Sequence, residues 1–518
     1  MHFEFESASN NGHVDWEGFF KDLDSQLNDS QKKELDKNKR AFLDDREHQK
    51  VIEKGLVVLR NMQIVALKVP SDITEIENFE QIFQRLNGQG TPLDSEELVY
   101  SMIKAYWPDV ESIFENSKCV VTTEARLIGM AVRVALTNKD AKKIIEERSV
   151  QQIRSIFKHH SDRNNCNNDA GERNEQSGQE TDEDKVKNYV KNKLTPALEW
   201  IDNILLRSDE RPYGIPAYLR SSIAWNSRDV FLWLMYLANK FDNAMNNIDD
   251  DIRKRIIGIA LIIHWFGVNK NKAIAQLVEK LSEGDDLVNA LRTIQITDFD
   301  GGGKNEDFVY RPLNLGELEE LIPEVKCEND LTLQKKWNFW NFIDERGKVG
   351  YWIRFSKIIN EKELLVYRQR DYIDKKFKGF DPSNRSMWKG HNRPWDYDHI
   401  LPSNSLNGQR SGGIRTFTWA CQAWQKSIGN LVAVDFAFNR KSQAVEAQVK
   451  YNNSDSDKLN GELMNIASFN IDLGHTDDFE KSKEFINAVR ERFLKIYDHW
   501  YHTLNVGSLC DSPPKQLP

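Results

Sequence analysis

Cysteine is scarce in this chain and long apolar runs are missing. The five cysteines among 518 residues are odd in number and form no CxxC pair, so neither a disulfide framework nor a structural zinc site is expected. The longest apolar run, residues 256–268, is shorter than the roughly 20 residues that cross a bilayer and predicts a buried helix. No charged segment followed by an apolar one opens the sequence, so we expect no secretory signal, no membrane partner and a cytoplasmic location.

An excess of positive charge is also missing. The net charge is −9, which argues against a protein that coats nucleic acid indiscriminately. The sign reverses locally, because residues 368–395 hold eight basic and three acidic side chains. Such a stretch is either a solvated surface or a place where a polyanion is held, and its composition alone favours neither.

Apolar residues recur at helical spacing over most of the chain, which predicts a mainly α fold with a small α+β module near the C-terminal end. Residues 1–158 and 188–330 are expected to be two helical regions. Residues 159–187 contain almost no apolar side chain and predict a disordered loop, since burial cannot offset the entropy of ordering it. A further domain is expected at 331–505, followed by a tail at 506–518.

The stretch 395–442 places several polar residues around short apolar segments. Asp398 and His399 precede an apolar step, Asn430 precedes a strand-like run, and Asn439 lies at the start of a predicted helix. Taken singly, each has an ordinary explanation, because an Asp-His pair is commonly a surface pair and an Asn before a strand is commonly a turn residue. Their joint order is much less expected by chance.

These side chains suit phosphodiester hydrolysis, which needs a base for the attacking water and positive charge near the phosphate. His399 is the candidate base, since its imidazole is neutral near pH 7. Asp398 and Asn439 offer the oxygen ligands that one Mg²⁺ or Mn²⁺ ion prefers. Asn430 is expected to fix the loop that orients His399. The candidate DNA-binding residues are Lys389, Arg393, Arg440 and Lys441.

The pattern DHILP followed by GNLVAVDFAFNRKS resembles the HNH nucleases, which have a ββα-metal (His-Me finger) fold. It most resembles the C-terminal nuclease domain of the GmrSD-type modification-dependent (type IV) restriction enzymes. The resemblance implies that Asp398 and Asn439 are metal ligands, that His399 is the general base and that Asn430 gives structural support. Residues 331–505 would then be the nuclease domain, and residues 479–504 resemble its final helix.

Two departures from the family pattern are visible. Asn439 replaces the last histidine of the motif, a variant that the class accepts. An insert containing Trp419 and Trp424 separates His399 from Asn430, and these tryptophans are expected to pack it between the two strands.

Residues 79–93 (FEQIFQRLNGQGTPL) resemble the second half of the sensor and nucleotidase domain of the same enzymes. The first half of that domain, with its DGQQR-type motif, does not occur in the sequence. Either a separate subunit carries it, or this chain has lost it, or the chain begins late. We therefore expect a metal-dependent DNA endonuclease of prokaryotic antiviral defence that acts on modified or phage DNA. A non-catalytic DNA-sensing or assembly subunit and an RNA-cutting toxin remain alternatives.

Overall fold

A computed structural model describes most of the chain after residue 94 and a smaller part before it. The described residues are 20, 32, 39, 43–60, 95–115, 121–137, 142–158, 180–241, 248–283, 286–296, 308–330, 357–378, 380, 382, 393–402, 416–442, 447–451, 469 and 478–510. Residues 79–93, which carry the sensor resemblance, lie outside this set.

The chain divides into two units, residues 1–82 and 83–518. In the first unit the structure describes one long helix, α1 (Arg46–Arg60). The second unit holds every candidate site residue.

Helices make up most of the described part of the second unit. Fifteen described α-helices of this unit precede the first strand: α2 (Ser95–Tyr106), α3 (Val110–Glu115), α4 (Glu124–Ala135), α5 (Lys142–Ile145), α6 (Val150–Lys158), α7 (Asp182–Asn188), α8 (Leu194–Leu205), α9 (Ala217–Asn226), α10 (Arg228–Lys240), α11 (Asp250–Phe266), α12 (Lys270–Ser282), α13 (Leu287–Thr293), α14 (Leu315–Leu321), α15 (Lys362–Arg368) and α16 (Arg370–Lys376).

The predicted loop at 159–187 ends earlier than expected. Thr181 caps α7, because its hydroxyl accepts a hydrogen bond from the Asp184 N–H at 3.1 Å while the Asp184 carboxylate accepts from the Thr181 N–H at 3.2 Å. This reciprocal pair satisfies two backbone donors that would otherwise lack partners. A turn of π-helix (Tyr189–Lys193) then joins α7 to α8. Residues 159–179 lie outside the described part.

The predicted tail at 506–518 is wrong for its first five residues, and residues 511–518 lie outside the described part. Gly507–Cys510 form a short helix in which Leu509 is fully buried. The Ser508 carbonyl accepts hydrogen bonds from Arg255 and Gln295. Residues 506–510 therefore belong to the packed structure.

The centre of the helical core is formed by α10 and α11. Residues 230–237 of α10 and most of α11 are buried, so both helices are apolar around nearly their whole circumference, as expected of helices surrounded by others. The apolar run at 256–268 is therefore a buried helix over residues 256–266, as predicted. None of the described helices combines the length and apolar character needed to cross a bilayer.

Two strands form the described sheet. β1 (Trp395–His399) pairs antiparallel with β2 (Leu431–Asp435), and His399 lies opposite Leu431. The outer edge of β2 is covered by the Gln369 side chain, whose amide both donates to and accepts from Ala433 at 3.2 and 2.9 Å. The prediction of a mainly α protein with a small α+β module is confirmed.

The described part of the insert between the strands, residues 416–430, is mostly helical, and further helices follow β2. These elements are α17 (Thr416–Gln425), a 3-10 turn (Ile428–Asn430), α18 (Phe436–Ser442), α19 (Ala447–Tyr451), α20 (Phe479–Thr503) and α21 (Gly507–Cys510). Trp424 of the insert is almost fully buried, as predicted, whereas the Trp419 side chain lies outside the described part. The described elements therefore follow in the order β1, α17, the 3-10 turn, β2 and α18.

The long helix α20 holds the turn before β2 in place. The Arg492 guanidinium is 1% exposed and donates to the carbonyls of Ile428, Gly429 and Leu431 at 2.8 to 3.0 Å. A buried cation is tolerated there because these carbonyls supply its hydrogen bonds. The start of β2, and with it Asn430, is thereby fixed against α20.

Candidate active site

His399 ends β1, and Asn430 connects the loop that follows it to the turn before β2. The Asn430 side chain is fully buried. Its oxygen accepts from the Leu401 N–H at 2.9 Å, and its nitrogen donates to the carbonyls of Leu401 and Gln425. The Ile400 N–H also donates to the Asn430 carbonyl at 2.9 Å. This is the loop-fixing geometry expected of Asn430, and its effect on His399 stays a prediction.

Asp398 lies within the protein and is held by two side chains of α19. The Lys450 ammonium is 2.5 Å from its carboxylate, and the Tyr451 hydroxyl donates to the same oxygen at 2.7 Å. Burial, with the neighbouring Asp398 carboxylate second, raises the pKa of Tyr451 well above its usual range, so Tyr451 remains a hydrogen-bond donor. In this arrangement the Asp398 carboxylate already has a cation partner.

Asn439, the other predicted metal ligand, contacts a different carboxylate. Its side-chain nitrogen donates to Asp396 at 2.8 Å. Alternate residues of a strand point to the same face, so Asp396 and Asp398 share the face of β1 that meets α18 and α19. Asp396 thereby joins the candidate site residues, although the motif does not include it. The alternation of Asp396 and Asp398 in WDYDH is the sequence signal that could have indicated it.

The donor set fits a hard divalent cation in kind, because Asp396, Asp398 and Asn439 all offer oxygen atoms. Among the residues that the structure describes, however, no cluster of three or more His, Cys, Asp or Glu side chains could hold a metal. The pair in contact is Asp396 with Asn439, whereas one oxygen of Asp398, Oδ2, contacts Lys450 and Tyr451. The assignment of Asp398 and Asn439 as metal ligands stays a prediction.

His399 lies on the opposite face of β1 from Asp398, as alternation along a strand requires. Its ring is half-buried. Burial lowers the pKa of His399, and the Lys362 and Lys450 cations lower it further, against the opposing effect of the Asp398 carboxylate. A lowered pKa keeps the imidazole neutral at physiological pH, which is the form that a general base needs.

The predicted DNA-binding residues have mixed placements. The Arg393 guanidinium stacks on Tyr397 at 4.6 Å from the ring centroid and donates through Nε to the Trp395 carbonyl at 2.8 Å. Lys389 lies outside the described residues. Arg440 and Lys441 belong to α18, and their side chains are not among those described. DNA contact by these four residues stays a prediction.

The basic stretch 368–395 does not act as one surface. Arg370 is buried and donates to the carbonyls of Pro212 and Tyr367. Lys375, Lys376 and Lys378, in contrast, are exposed. Counting charges along the sequence could not separate structural cations from accessible ones.

A cation outside that stretch lies at the site. Lys362 is the first residue of α15, and its ammonium is 4.8 Å from the centroid of the Tyr397 ring. Tyr397 and His399 are alternate residues of β1, so Lys362 is on the His399 side of the strand. Only tertiary structure brings them together, since 35 positions separate Lys362 from Tyr397 in the sequence.

Comparisons with protein-family models, with curated proteins and with solved structures find no match for this chain.

Proposed function

We propose that this protein is a metal-dependent HNH-type endonuclease that hydrolyses phosphodiester bonds in DNA. The observation that supports it most is the connection between the two halves of the motif. The strand that ends in Asp398 and His399 pairs with the strand that follows Asn430, and Asn430 hydrogen-bonds to the loop directly after His399. A helix carrying Asn439 comes next. The ββα-metal fold and the role in antiviral defence rest on the motif resemblance and belong to the same proposal.

In this proposal His399 accepts the proton of the attacking water, and Asn430 keeps the loop after His399 in place. Asp396 and Asn439, with Asp398 once it is free of Lys450, would hold Mg²⁺ or Mn²⁺. The bound ion would supply positive charge for the phosphate oxygens and the departing 3′ oxygen. Arg393, which precedes β1, would contact a flanking phosphate, and the same role is proposed for Arg440 and Lys441 from their positions in the motif.

Plasmid cleavage tests the assignment. The purified full-length chain is incubated with supercoiled plasmid and Mg²⁺ or Mn²⁺, with RNA as a parallel substrate. We expect His399→Ala to reduce the cleavage rate by about 10² to 10⁴, the usual cost of losing a general base.

His502→Ala is the matched control, because His502 is an exposed histidine of α20 with 70% of its side chain accessible. Its cleavage rate should equal that of the unmodified chain. Cleavage that survives His399→Ala unchanged would rule out the proposed base. Cleavage of RNA alone would replace the DNA substrate by RNA.

A non-catalytic nucleic-acid-binding module is the second candidate, and the contact between Lys450 and Asp398 favours it. A carboxylate that already has a buried cation partner is a poor ligand for a divalent ion until the pair separates. Isothermal titration with Mn²⁺ distinguishes the two functions. Binding that Asp398→Ala weakens supports the nuclease, whereas no binding by either protein supports the binding module.

A further inference from the structure

Two cations lie against one aromatic ring beside His399. The Lys362 ammonium and the Arg393 guanidinium are 4.8 and 4.6 Å from the centroid of the Tyr397 ring. Tyr397 precedes His399 by two residues in β1, so its ring is on the same face of the strand. Positive charge is therefore concentrated next to the proposed general base.

The two cations differ in their partners. Arg393 donates to the Trp395 carbonyl and has the Asp396 carboxylate at 3.7 Å. Lys362 has no carboxylate within ion-pair distance among the residues that the structure describes. Burial and then the like charge of Arg393 lower the pKa of Lys362. Its ammonium is therefore held in a place that is unfavourable for a cation, and a bound anion would make that place favourable.

The position of Lys362 is fixed by the residue next to it. The Glu363 carboxylate accepts from His264 Nε2 at 2.7 Å, from the Trp265 indole at 3.0 Å and from Ser222. His264 and Trp265 belong to the buried helix α11. The first turn of α15 is thus anchored to the core, so Lys362 projects from a rigid element toward Tyr397, as a preorganised binding residue requires.

An exposed lysine whose ammonium lies at an aromatic ring, with no carboxylate partner among the described residues, suits a phosphate group, which lysine binds as a point charge. We propose that Lys362 is a phosphate-binding residue of the active site and contacts the nucleic-acid backbone beside the phosphate that His399 serves. The inference rests on the proposed nuclease function and adds to it a residue outside the HNH motif.

Lys362→Met tests this role, because methionine is an unbranched side chain of similar length that lacks the charge. Binding of a labelled DNA duplex is measured by fluorescence anisotropy across a range of salt concentrations, in full-length chains that carry His399→Ala to prevent cleavage. Each phosphate contact contributes about 0.9 to the slope of log affinity against log salt. We expect Lys362→Met to lower the slope by about that amount and Lys362→Arg to restore it.

Lys240→Met is the matched control. Lys240 is also an exposed lysine over a tyrosine ring, at 5.7 Å from the Tyr236 centroid, but its helix carries no candidate site residue. The slope of log affinity against log salt should be the same for Lys240→Met as for the chain with Lys240. In cleavage assays with His399 present, Lys362→Met should raise KM and leave kcat nearly unchanged, since a ground-state phosphate contact is lost.

The outcomes separate this inference from the proposed function. Cleavage that depends on His399, together with equal salt slopes and equal KM values for Lys362→Met and Lys240→Met, overturns the role of Lys362 alone. A chain that neither binds nor cleaves DNA overturns both. If Lys362→Arg folds poorly, the result for Lys362→Met decides. An unchanged salt slope in Lys362→Met would then count against the proposal, because DNA binding would not need the Lys362 charge.

Discussion

The Lys450 ammonium lies 2.5 Å from the Asp398 carboxylate, and the two side chains are 0% and 7% exposed. Taking both charges out of water is costly, and their attraction together with the Tyr451 hydrogen bond offsets that cost. The pair thus connects α19 to the strand that carries His399. It also means that α19 and a divalent ion would compete for the same carboxylate.

Removing the cation should therefore destabilise the protein. Lys450→Met leaves Asp398 as a buried carboxylate without its ion-pair partner, and we expect a loss of about 3 to 5 kcal/mol. The measurement is urea unfolding at neutral pH, followed by tryptophan fluorescence. Mn²⁺ should recover part of the loss if Asp398 is a metal ligand, because a ligand that binds only the folded state stabilises it.

Lys483→Met provides the comparison for Lys450→Met. The ion pair of Lys483 with Glu480 is one turn apart on α20 and accessible, with the side chains 31% and 69% exposed. Such pairs contribute at most about 1 kcal/mol. Equal losses in the two variants would show that the contact between Lys450 and Asp398 is not a stabilising buried pair.

Replacing Asn430 should lower both the stability of the protein and its rate of DNA cleavage. Asn430→Ala removes the partner of the Leu401 N–H and of the Leu401 and Gln425 carbonyls in a fully buried place. Each unsatisfied buried group costs about 1 to 3 kcal/mol, and loss of an orienting partner typically reduces activity about 10- to 100-fold. Urea unfolding and plasmid cleavage measure the two effects.

Asn192→Ala is the control for Asn430→Ala, since the Asn192 side chain makes one exposed hydrogen bond, to Asn188. Its stability should stay within about 0.5 kcal/mol of the unmodified chain. Normal cleavage by a folded Asn430→Ala variant would contradict the loop-fixing role.

The sequence predicted those parts of the site that depend on neighbouring residues. The strand-like run after Asn430 predicted β2, and the helix predicted around Asn439 is α18. Local pattern suffices there because strand alternation and helix start signals act over a few residues. The strand β1, in contrast, was expected only from the family resemblance.

Contacts between distant segments could not be predicted in this way. Lys450 is 52 positions from Asp398, and no periodicity indicates that α19 folds back onto β1. Lys362 reaches Tyr397 only because Glu363 anchors α15 to the core. The earlier start of α7 is a different case, because Thr181 followed by Asp184 is a readable capping signal inside a stretch whose polar composition suggested a loop.

Replacing glycine by alanine is expected to have opposite effects on stability at Gly429 and at Gly129. A Cβ at Gly429 would lie 2.8 Å from Val489 Cγ1 and closer still to the Val489 carbonyl oxygen of α20. Because the α20 backbone at Val489 cannot easily move away, Gly429→Ala should destabilise the folded protein by about 1 to 3 kcal/mol or more. A Cβ at Gly129 within α4 meets nothing within 4 Å, so Gly129→Ala should stabilise by up to about 1 kcal/mol. Differential scanning fluorimetry of both variants measures the signs, and a stable Gly429→Ala would contradict the close packing of α20 on the turn before β2.

Glu361 predicts a pH dependence of stability near neutral pH. Burial, with the neighbouring Glu363 carboxylate second, raises the pKa of Glu361 from 4.5 to about 7. The folded state therefore binds a proton that the unfolded state releases, so this contribution to stability is complete below pH 4.5 and is lost as the pH rises to about 7.

Glu361→Gln has no such proton to lose and keeps an oxygen that can accept from the Glu363 N–H, as Glu361 does at 3.1 Å. Relative to the unmodified chain, we expect the variant to be equally stable at pH 4.5 and more stable at pH 8 by about 1 to 3 kcal/mol. Glu320→Gln, at an exposed glutamate of α14, should show the same difference from the unmodified chain at both pH values. A Glu361→Gln difference that also does not change between pH 4.5 and 8 would mean that Glu361 has the same pKa in the folded and unfolded chains, and the enclosed environment of the α15 N-terminus would then be wrong.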